Sequence, residues 1–538
     1  MAGDGREAAA ARPGEKRYEP MQDARSARDA ARVVAAIDLG ANAVRMAVAQ
    51  VFSDGRIDVL ERLQQAVRLG QDTFRRGRLG ASAMRAAVGV LRDYRRVLDL
   101  YKAERVRAVA TSAVREASNA DNFLNRVYMA THLEVEVIAT SEESRLTVSA
   151  VRNAVGDALG INQGHTLVVD VGGGSTLLTL LDNGQIAQAA SLRLGSIRLQ
   201  ETLYTSDEPP ERSAELLRTH IATVIGASAG SLPLQGIRSF VAVGGDARFA
   251  SRQIGTPTES ADLVLVGRTA LDELVRRCER HPAEELARHF GLPFAEAETL
   301  VPALLVYQHL LHLTGASQMI VSRVSMRDGL LLELAREVTG QEDRAVVEGV
   351  IHAAMALAEK YHVNLAHAEH VAELAVRLFD FLQPEHGLGS RYRLLLRVAA
   401  LLHEVGTFVS NQAHHKHSYY LLAHSEIFGL DREEIELVAH VARYHRRSPP
   451  KPSHLEYMSQ PRERRMAINK LAAILRVADA LVRGPGRQWQ HLRFEHIGDE
   501  LAIYVPDLSE FMLEQRALAV KGGMFEEVYG MRPRLEEG

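Results

Sequence analysis

The chain has 538 residues, 46% hydrophobic and 25% charged, which describes a globular protein long enough for several cores. A formal net charge of -4 excludes a global electrostatic pull on nucleic acid, and the single cysteine, Cys278, excludes an intrachain disulfide and suits a reducing, cytoplasmic setting. No uninterrupted apolar run approaches the length that crosses a bilayer, and residues 1–31, without an apolar core, read as a disordered tail rather than a secretory signal.

In chain order, Val33 to Ile37 reads as a buried strand that ends in Asp38-Leu39-Gly40-Ala41-Asn42. A second apolar run, Val44 to Val48, and the turn signal Asp54-Gly55 follow. Leu60 to Arg68 reads as a strand, and Ala81 to Tyr101 as an amphipathic helix with Met84, Val88, Leu91 and Val97 at helical spacing. Val106 to Ala110 is the next strand, and Thr111-Ser112 caps the helix after it. Leu133 to Ile138 reads as a strand delivering Ser141-Glu142-Glu143 at its end, where ligands usually bind in α/β sheets.

The opening design then recurs. The strand Thr166 to Asp170 runs into Val171-Gly172-Gly173-Gly174-Ser175-Thr176, followed by the apolar run Leu177 to Leu181 and the turn signal Asn183-Gly184. A third such loop, Gly244-Gly245-Asp246, again follows a strand-like run. Helices are expected near 211–228 and 294–314, with Arg327-Asp328-Gly329 opening a closing helix, Leu330 to Val338. From about residue 340 the pattern is helix after helix. Residues 491–538 differ again, with strands at Leu492 to Phe494, Leu501 to Val505 and Ala517 to Val520, and a helix near Met524 to Tyr529. The expected units are a tail (1–31), two α/β lobes (32–150 and 151–338), a helical domain (339–487) and a small α+β cap (488–538).

Glycines after a strand let the backbone turn tightly, and their N–H groups can face a phosphate oxygen. Two such loops predict phosphate held between two halves of a duplicated fold. Asp38 and Asp170 would then face the phosphate from opposite lobes, which requires a cation between them, Mg2+. Arg45 and Arg115 can fork onto phosphate oxygens, while Asn42, Ser112, Gly173, Gly174 and Ser175 supply neutral donors. Hydrolysis would need a carboxylate to polarise water, and the residues alone do not separate Glu142 from Glu143.

The duplicated loops resemble the actin, hexokinase and Hsp70 superfamily. Within it, Asp38 to Met46, Ala110 to Asn119, Ser141 to Leu146 and Asp170 to Thr176, in that order, are similar to the exopolyphosphatase and guanosine pentaphosphate phosphohydrolase family. Gly195-Ser-Ile-Arg198 and Arg327-Asp-Gly-Leu-Leu331 extend the likeness, which covers roughly residues 32 to 485. The resemblance implies an α/β fold of two actin-like (RNase H-like) lobes around a phosphate cleft, an all-α HD-like domain and a cap. It implies Glu143 as the base, Mg2+ as cofactor and a homodimer. The activity it implies is removal of terminal phosphate from inorganic polyphosphate. The alternatives are the same chemistry on guanosine pentaphosphate (pppGpp), or a weakly active or non-catalytic sensor of either. One departure bears on this. The family usually carries glutamate directly after Gly-Gly-Gly-Ser-Thr, and this chain has Leu177, which can neither ligate metal nor orient water.

The helical domain resembles an HD-type domain through His367, His403-Glu404 and Asp479, an order such metal sites use, with Glu404 in place of the usual aspartate. The architecture of relatives favours a different role, a longer channel for the polyanion. Its candidate lining is His414-His415-Lys416-His417, Arg443 to Arg447 and Lys451, cations that can grip polyphosphate irrespective of sequence. No set of interleaved stacking aromatics marks this surface for nucleic acid.

Overall fold

The computed structural model describes residues 31–155, 163–205, 208–228, 233–260, 262–339, 344–446, 448–483 and 491–538. The expected N-terminal tail, Arg447 of the basic run and the junction expected near 487 lie outside the described residues.

The first sheet has the order β3-β2-β1-β4-β5. Strands β1 (Arg32–Leu39), β2 (Ala43–Val51) and β3 (Ile57–Ala66) form an antiparallel meander, and β4 (Arg105–Ala110) and β5 (Val135–Val137) add in parallel to β1. The second sheet repeats this plan. Strands β6 (His165–Val171), β7 (Thr176–Asp182) and β8 (Gln185–Leu192) form the meander, and β9 (Ser239–Val243) and β12 (Gln318–Ser322) run parallel to β6. Two further strands, β10 (Thr256–Pro257) and β11 (Leu263–Gly267), extend the far edge. Asp38 and Asp170 sit at equivalent places near the ends of β1 and β6, so the duplication read from the chain is a duplication in space. The β6–β7 turn and the β7–β8 turn both follow from their residues, with Asn183 and Gly184 at φ 47° and 78° as a two-residue hairpin needs.

β1 and β6 are central strands covered on both faces, which explains apolar runs without alternation. Two helices tie the sheets together. The helix Thr140–Val155 buries Leu146 with the first lobe's core, while Val148, Val151 and Val155 pack against the second sheet. The helix Met326–Thr339 follows the last strand of the second sheet but returns to pack Met326, Leu330, Leu331 and Leu334 on β1 and β2. The closing helix therefore starts before Arg327, and its apolar face completes the first lobe.

Several local expectations change. β5 is only three residues long, so Ser141, Glu142 and Glu143 lie in the first turn of a helix rather than at a strand end. Thr111 occupies the N-cap of the helix Ser112–Arg115, but its side chain makes no capping bond. In the cap, Ala517 to Val520 belongs to the helix Met512–Lys521, and the third strand beside β13 (Arg493–Ile497) and β14 (Glu500–Val505) is β15 (Arg532–Glu537). A four-residue apolar run fits strand and buried helix equally well, and here Leu518 packing decides for helix.

The helical domain and cap share one core, built from helices such as Leu365–Phe381, Ser390–Leu402, Arg432–Arg443 and Arg462–Leu481. Among the described residues no single helix is long and apolar enough to cross a membrane; one bent pair, Ala283–Phe290 with Phe294–Thr314, passes that test only jointly.

Candidate active site

The two Asp-Gly loops face each other across a cleft of about 340 Å3 between the sheets. From the first lobe it takes Asp38, Asn42, Arg45 and Ser112; from the second, Asp170, Gly173, Gly174 and Ser175; and from the bridging helix, Glu143. The structure thus brings together the expected base and the residues expected around the interlobe phosphate, with Arg115 the exception.

The glycine loop is held from behind. Gly172 N–H closes the turn onto Ser175 O at 2.9 Å. Gly172 O accepts from Ser196 N, and Gly173 O from Ile197 N and Arg198 N, at 2.9–3.0 Å. Arg198, buried and stacked 4.0 Å over Phe74, donates from Nε to Gly174 O at 2.6 Å and pairs with Glu116 at 2.5 Å. With its carbonyls tied down, the loop can turn only its N–H side toward a ligand. Gly195 lies so close behind that a Cβ there would overlap the Gly173 and Gly174 backbone.

Glu142 and Glu143, adjacent in sequence, have opposite surroundings. Glu142 points away from the cleft. It accepts two bonds from Arg145 at 2.8 and 2.7 Å and another from Arg107 at 3.3 Å. Burial alone would raise its pKa, but Arg145 and then Arg107 outweigh it and hold the carboxyl below its usual range. Glu143 opens on the cleft. Burial pushes its pKa up to about 7; Arg115 opposes this, and the negative charges of Asp170 and Asp38 add to it. A carboxylate poised near neutrality at a phosphate loop suits a general base.

Asp170 is also raised, chiefly by burial, with Arg248 opposing and Asp38 reinforcing. Asp38 is 9% exposed and meets Arg45 only at 3.5 Å. These carboxylates form an all-oxygen set that repel one another without a cation, the donor chemistry that Mg2+ takes.

Arg115 is placed differently from expectation. It is absent from the cleft lining; its guanidinium donates to Ile138 O at 2.7 Å and sits 3.3 Å from Glu143 Oε2. Its charge opposes the upward shift of the Glu143 carboxyl. Leu177 is 3% exposed and pairs in register with Asp170 on β7, so the apolar substitution is absorbed by packing and leaves the cleft carboxylates in place.

The cleft also contains residues to which the chain alone gave no role in the site. Arg248 and Asp246 come from the helix Gly245–Ile254 after the third glycine loop, Glu296 from the helix Phe294–Thr314, and Arg327 from the helix returning to the first lobe. Arg327 is held down to about 10 by burial despite the charge of Asp38, and its Nε has no hydrogen-bond partner. Burial pushes Asp246 up to about 7, against the pull of Arg248. The glycines at 244 and 245 were a signal for Arg248 and Asp246; nothing local marks Glu296. The mouth is bridged by Asn42 Nδ2 to Ala295 O and Gln64 Nε2 to Glu296, both 3.3 Å, and by the Arg68–Glu298 ion pair.

In the helical domain, His367, His403 and Asp479 converge, but Glu404 is not among the ligand atoms that do so. The basic run is a partial match to a channel lining. His414 and His445 are buried against each other, their Nε2 atoms 3.2 Å apart, and Arg443 stacks 4.9 Å from Tyr419; Lys416 and Lys451 remain exposed.

A family model described as the Ppx/GppA phosphatase family matches residues 47–338, and one described as Ppx/GppA phosphatase, domain III, matches residues 351–520. The chain is 26% identical over 425 residues to a guanosine-5'-triphosphate,3'-diphosphate pyrophosphatase of Vibrio vulnificus, covering 77% of this chain and 80% of that one. It is 26% identical over 451 residues to the protein of that name from Aeromonas hydrophila, covering 82% and 86%. Among solved structures, an exopolyphosphatase from Cytophaga hutchinsonii superimposes with a TM-score of 0.52 at 22% identity, over 58% of this chain and 99% of that one, a likeness of fold.

Proposed function

This chain belongs to the Ppx/GppA phosphatase family, and from that premise we propose that it hydrolyses the terminal phosphate of inorganic polyphosphate, with Glu143 activating the attacking water. The observation that carries the proposal is the carboxyl of Glu143, raised to about 7, in the same cleft as the Gly173-Gly174-Ser175 loop.

In this reading the terminal phosphate sits against the N–H groups of Gly173, Gly174 and Ser175 and the Ser112 hydroxyl. Arg45, Arg248 and Arg327 offset its charge, and Asn42 fixes its orientation. Asp38 and Asp170 would hold Mg2+, which when bound supplies charge neutralisation and polarises the phosphoryl oxygens. Glu143 accepts the proton of a water aligned with the scissile P–O bond, and Arg115 holds the carboxylate in that pose.

The base must be ionised before it can accept a proton. The catalytic efficiency kcat/KM is therefore expected to fall about tenfold per pH unit below about pH 7, and to level off above it. The limb should persist in Asp246→Asn, which removes the other cleft carboxyl raised to about 7. A flat pH profile, or a limb that vanishes with Asp246, contradicts the role of Glu143.

A second substrate is favoured by a specific feature. The cleft lining includes the half-buried Leu292, with the buried Phe249 and Leu300, an apolar element that polyphosphate does not need and a nucleoside would use. Guanosine pentaphosphate, the substrate type in the names of the Vibrio and Aeromonas relatives, is the nucleotide that would use it. Phosphate release from long-chain polyphosphate, measured with and without pppGpp, tests the choice. Turnover of polyphosphate inhibited competitively by pppGpp places both in one cleft. Turnover of pppGpp alone overturns the polyphosphate reading.

A further inference from the structure

The helical domain meets the helix that carries Glu143 at a corner the interlobe chemistry does not itself use. Between the helices His414–Ala423 and Arg432–Arg443 the chain turns at Gly429, in the left-handed region at φ 83°. A Cβ at Gly429 would lie 3.5 Å from Cδ of Arg145 and 2.5 Å from Cγ2 of Val350, so the turn is pressed against the Arg145 stem and only glycine fits there. Arg145 belongs to the helix Thr140–Val155, which presents Glu143 in its first turn.

The corner is held rigid from its own side. Arg391, on the helix Ser390–Leu402, donates to Gly429 O at 2.8 Å and forks onto both carboxylate oxygens of Glu434 at 2.6 Å. Glu434 also completes a capping box: its N–H donates to Asp431 Oδ1 at 2.8 Å, and its carboxylate accepts from Asp431 N–H at 3.1 Å. On the lobe side, Arg145 is committed through its guanidinium, with two bonds to Glu142 at 2.8 and 2.7 Å and an ion pair with Glu333. A long side chain packed along its stem has lost the rotamers through which it would swing off its partners. The first turn of a helix has the fewest internal bonds, so its orientation depends on such outside contacts. Holding Glu142 outward turns Glu143, about 100° further round the helix, toward the cleft.

We propose that Arg391 of the helical domain is a positioning residue for the interlobe site: it seats the Gly429 turn on Arg145, and so keeps Glu142 outward and Glu143 in the cleft. The links run from Arg391 to Gly429, Arg145 and Glu142, each a hydrogen bond or a packed contact, and from Glu142 to Glu143 along the chain. Arg391 touches no group that lines the cleft, so its effect falls on the pose of the base and not on phosphate binding. For its activity readout the inference rests on Glu143 as the base; its structural readout does not.

The test measures amide hydrogen exchange and phosphate release on the full chain. The Arg391 side chain is 43% exposed, so Arg391→Met is expected to keep the wild-type circular dichroism. Amides of residues 138–148 are expected to exchange about tenfold faster in that variant. Its kcat on long-chain polyphosphate is expected to fall about tenfold, with KM within about twofold of wild type. Arg391→Lys, which can still reach Gly429 O, is expected to recover most of both. Arg393→Met, which removes the exposed pair with Asp380 at 2.7 Å from the same helix, is expected to match wild type. Glu434→Gln, which keeps a hydrogen bond to Arg391 but not the charge, is expected to show the same two changes in smaller measure and decides the question if Arg391→Met does not fold. Unchanged exchange at 138–148 in the folded variant overturns the proposal, as does faster exchange with an unchanged kcat, or an equal effect in Arg393→Met. Faster exchange there in a protein whose wild type releases no phosphate upholds the seating of the helix and contradicts only the reading of Glu143 as the base.

Discussion

Glu143→Gln is expected to lower kcat about a hundred- to ten-thousand-fold while leaving KM and the fold nearly unchanged. Glutamine keeps the size of the side chain and can still accept from Arg115, which lies 3.3 Å from Glu143, but it cannot take up a proton. Steady-state phosphate release and circular dichroism check both halves. The informative control is its neighbour. Glu142 is locked by Arg145 and Arg107 behind the cleft, so Glu142→Gln should cost stability first and chemistry second. If the two variants lose activity equally with Glu142→Gln fully folded, the division of labour between them is wrong.

Arg145→Met is expected to destabilise the protein by roughly 3–5 kcal/mol, the largest stability effect in the lobes. Arg145 is 6% exposed and holds Glu142 on two bonds and Glu333 on another, joining the helix Thr140–Val155 to the helix Met326–Thr339. Removing it leaves two acids to share Arg107, one of them buried. The exposed pair Arg105–Glu337, at 3.6 Å between the same helix and β4, offers a calibration. Its loss should cost about 1 kcal/mol or less. Chemical denaturation separates the two, and an Arg145→Met variant within 1 kcal/mol of wild type would show the buried network to be dispensable. Because the same helix presents Glu143 in its first turn, the variant is also expected to lower kcat more than it raises KM.

The parts of this architecture that were legible in the chain are those written locally. Asp38 and Asp170 announce themselves because strand, acid, glycine and hairpin are contiguous, and the helix Ala81–Tyr101 because its apolar spacing runs over many turns. Glu143 could be told from Glu142 only by resemblance, because a one-residue shift on a helix turns a side chain by about 100° and only packing says which way is inward. Arg115 shows the converse limit. Its position in the motif was legible, but whether a long side chain reaches phosphate or stops at Glu143 depends on where Ile138 and the bridging helix lie. Glu296 reaches the cleft from an element more than a hundred residues beyond the glycine loop, so no local pattern could mark it, and the motif that begins at Arg327 was legible without showing that its side chain ends in the cleft. The basic run of the helical domain misled for a related reason. Histidines count toward a positive patch in sequence, yet His414 and His445 are buried, and burial lowers both pKa values, so that neutral rings face each other.

Leu177 is the departure from family pattern with most bearing on catalysis. Set in register with Asp170 and buried, it removes one acid from the neighbourhood but leaves Asp38, Asp170 and Glu143 facing a single cleft.

The measurement that bears most directly on the interlobe cleft as a water-activating centre is a single turnover of polyphosphate in oxygen-18 water with Mg2+. Water attack on the terminal phosphorus puts one heavy oxygen into each released phosphate and none into the remaining chain, and Glu143→Gln should abolish that labelled product. Phosphate released without label, or labelled phosphate formed as fast by Glu143→Gln, would mean that the bond is broken by a different nucleophile or at a different site.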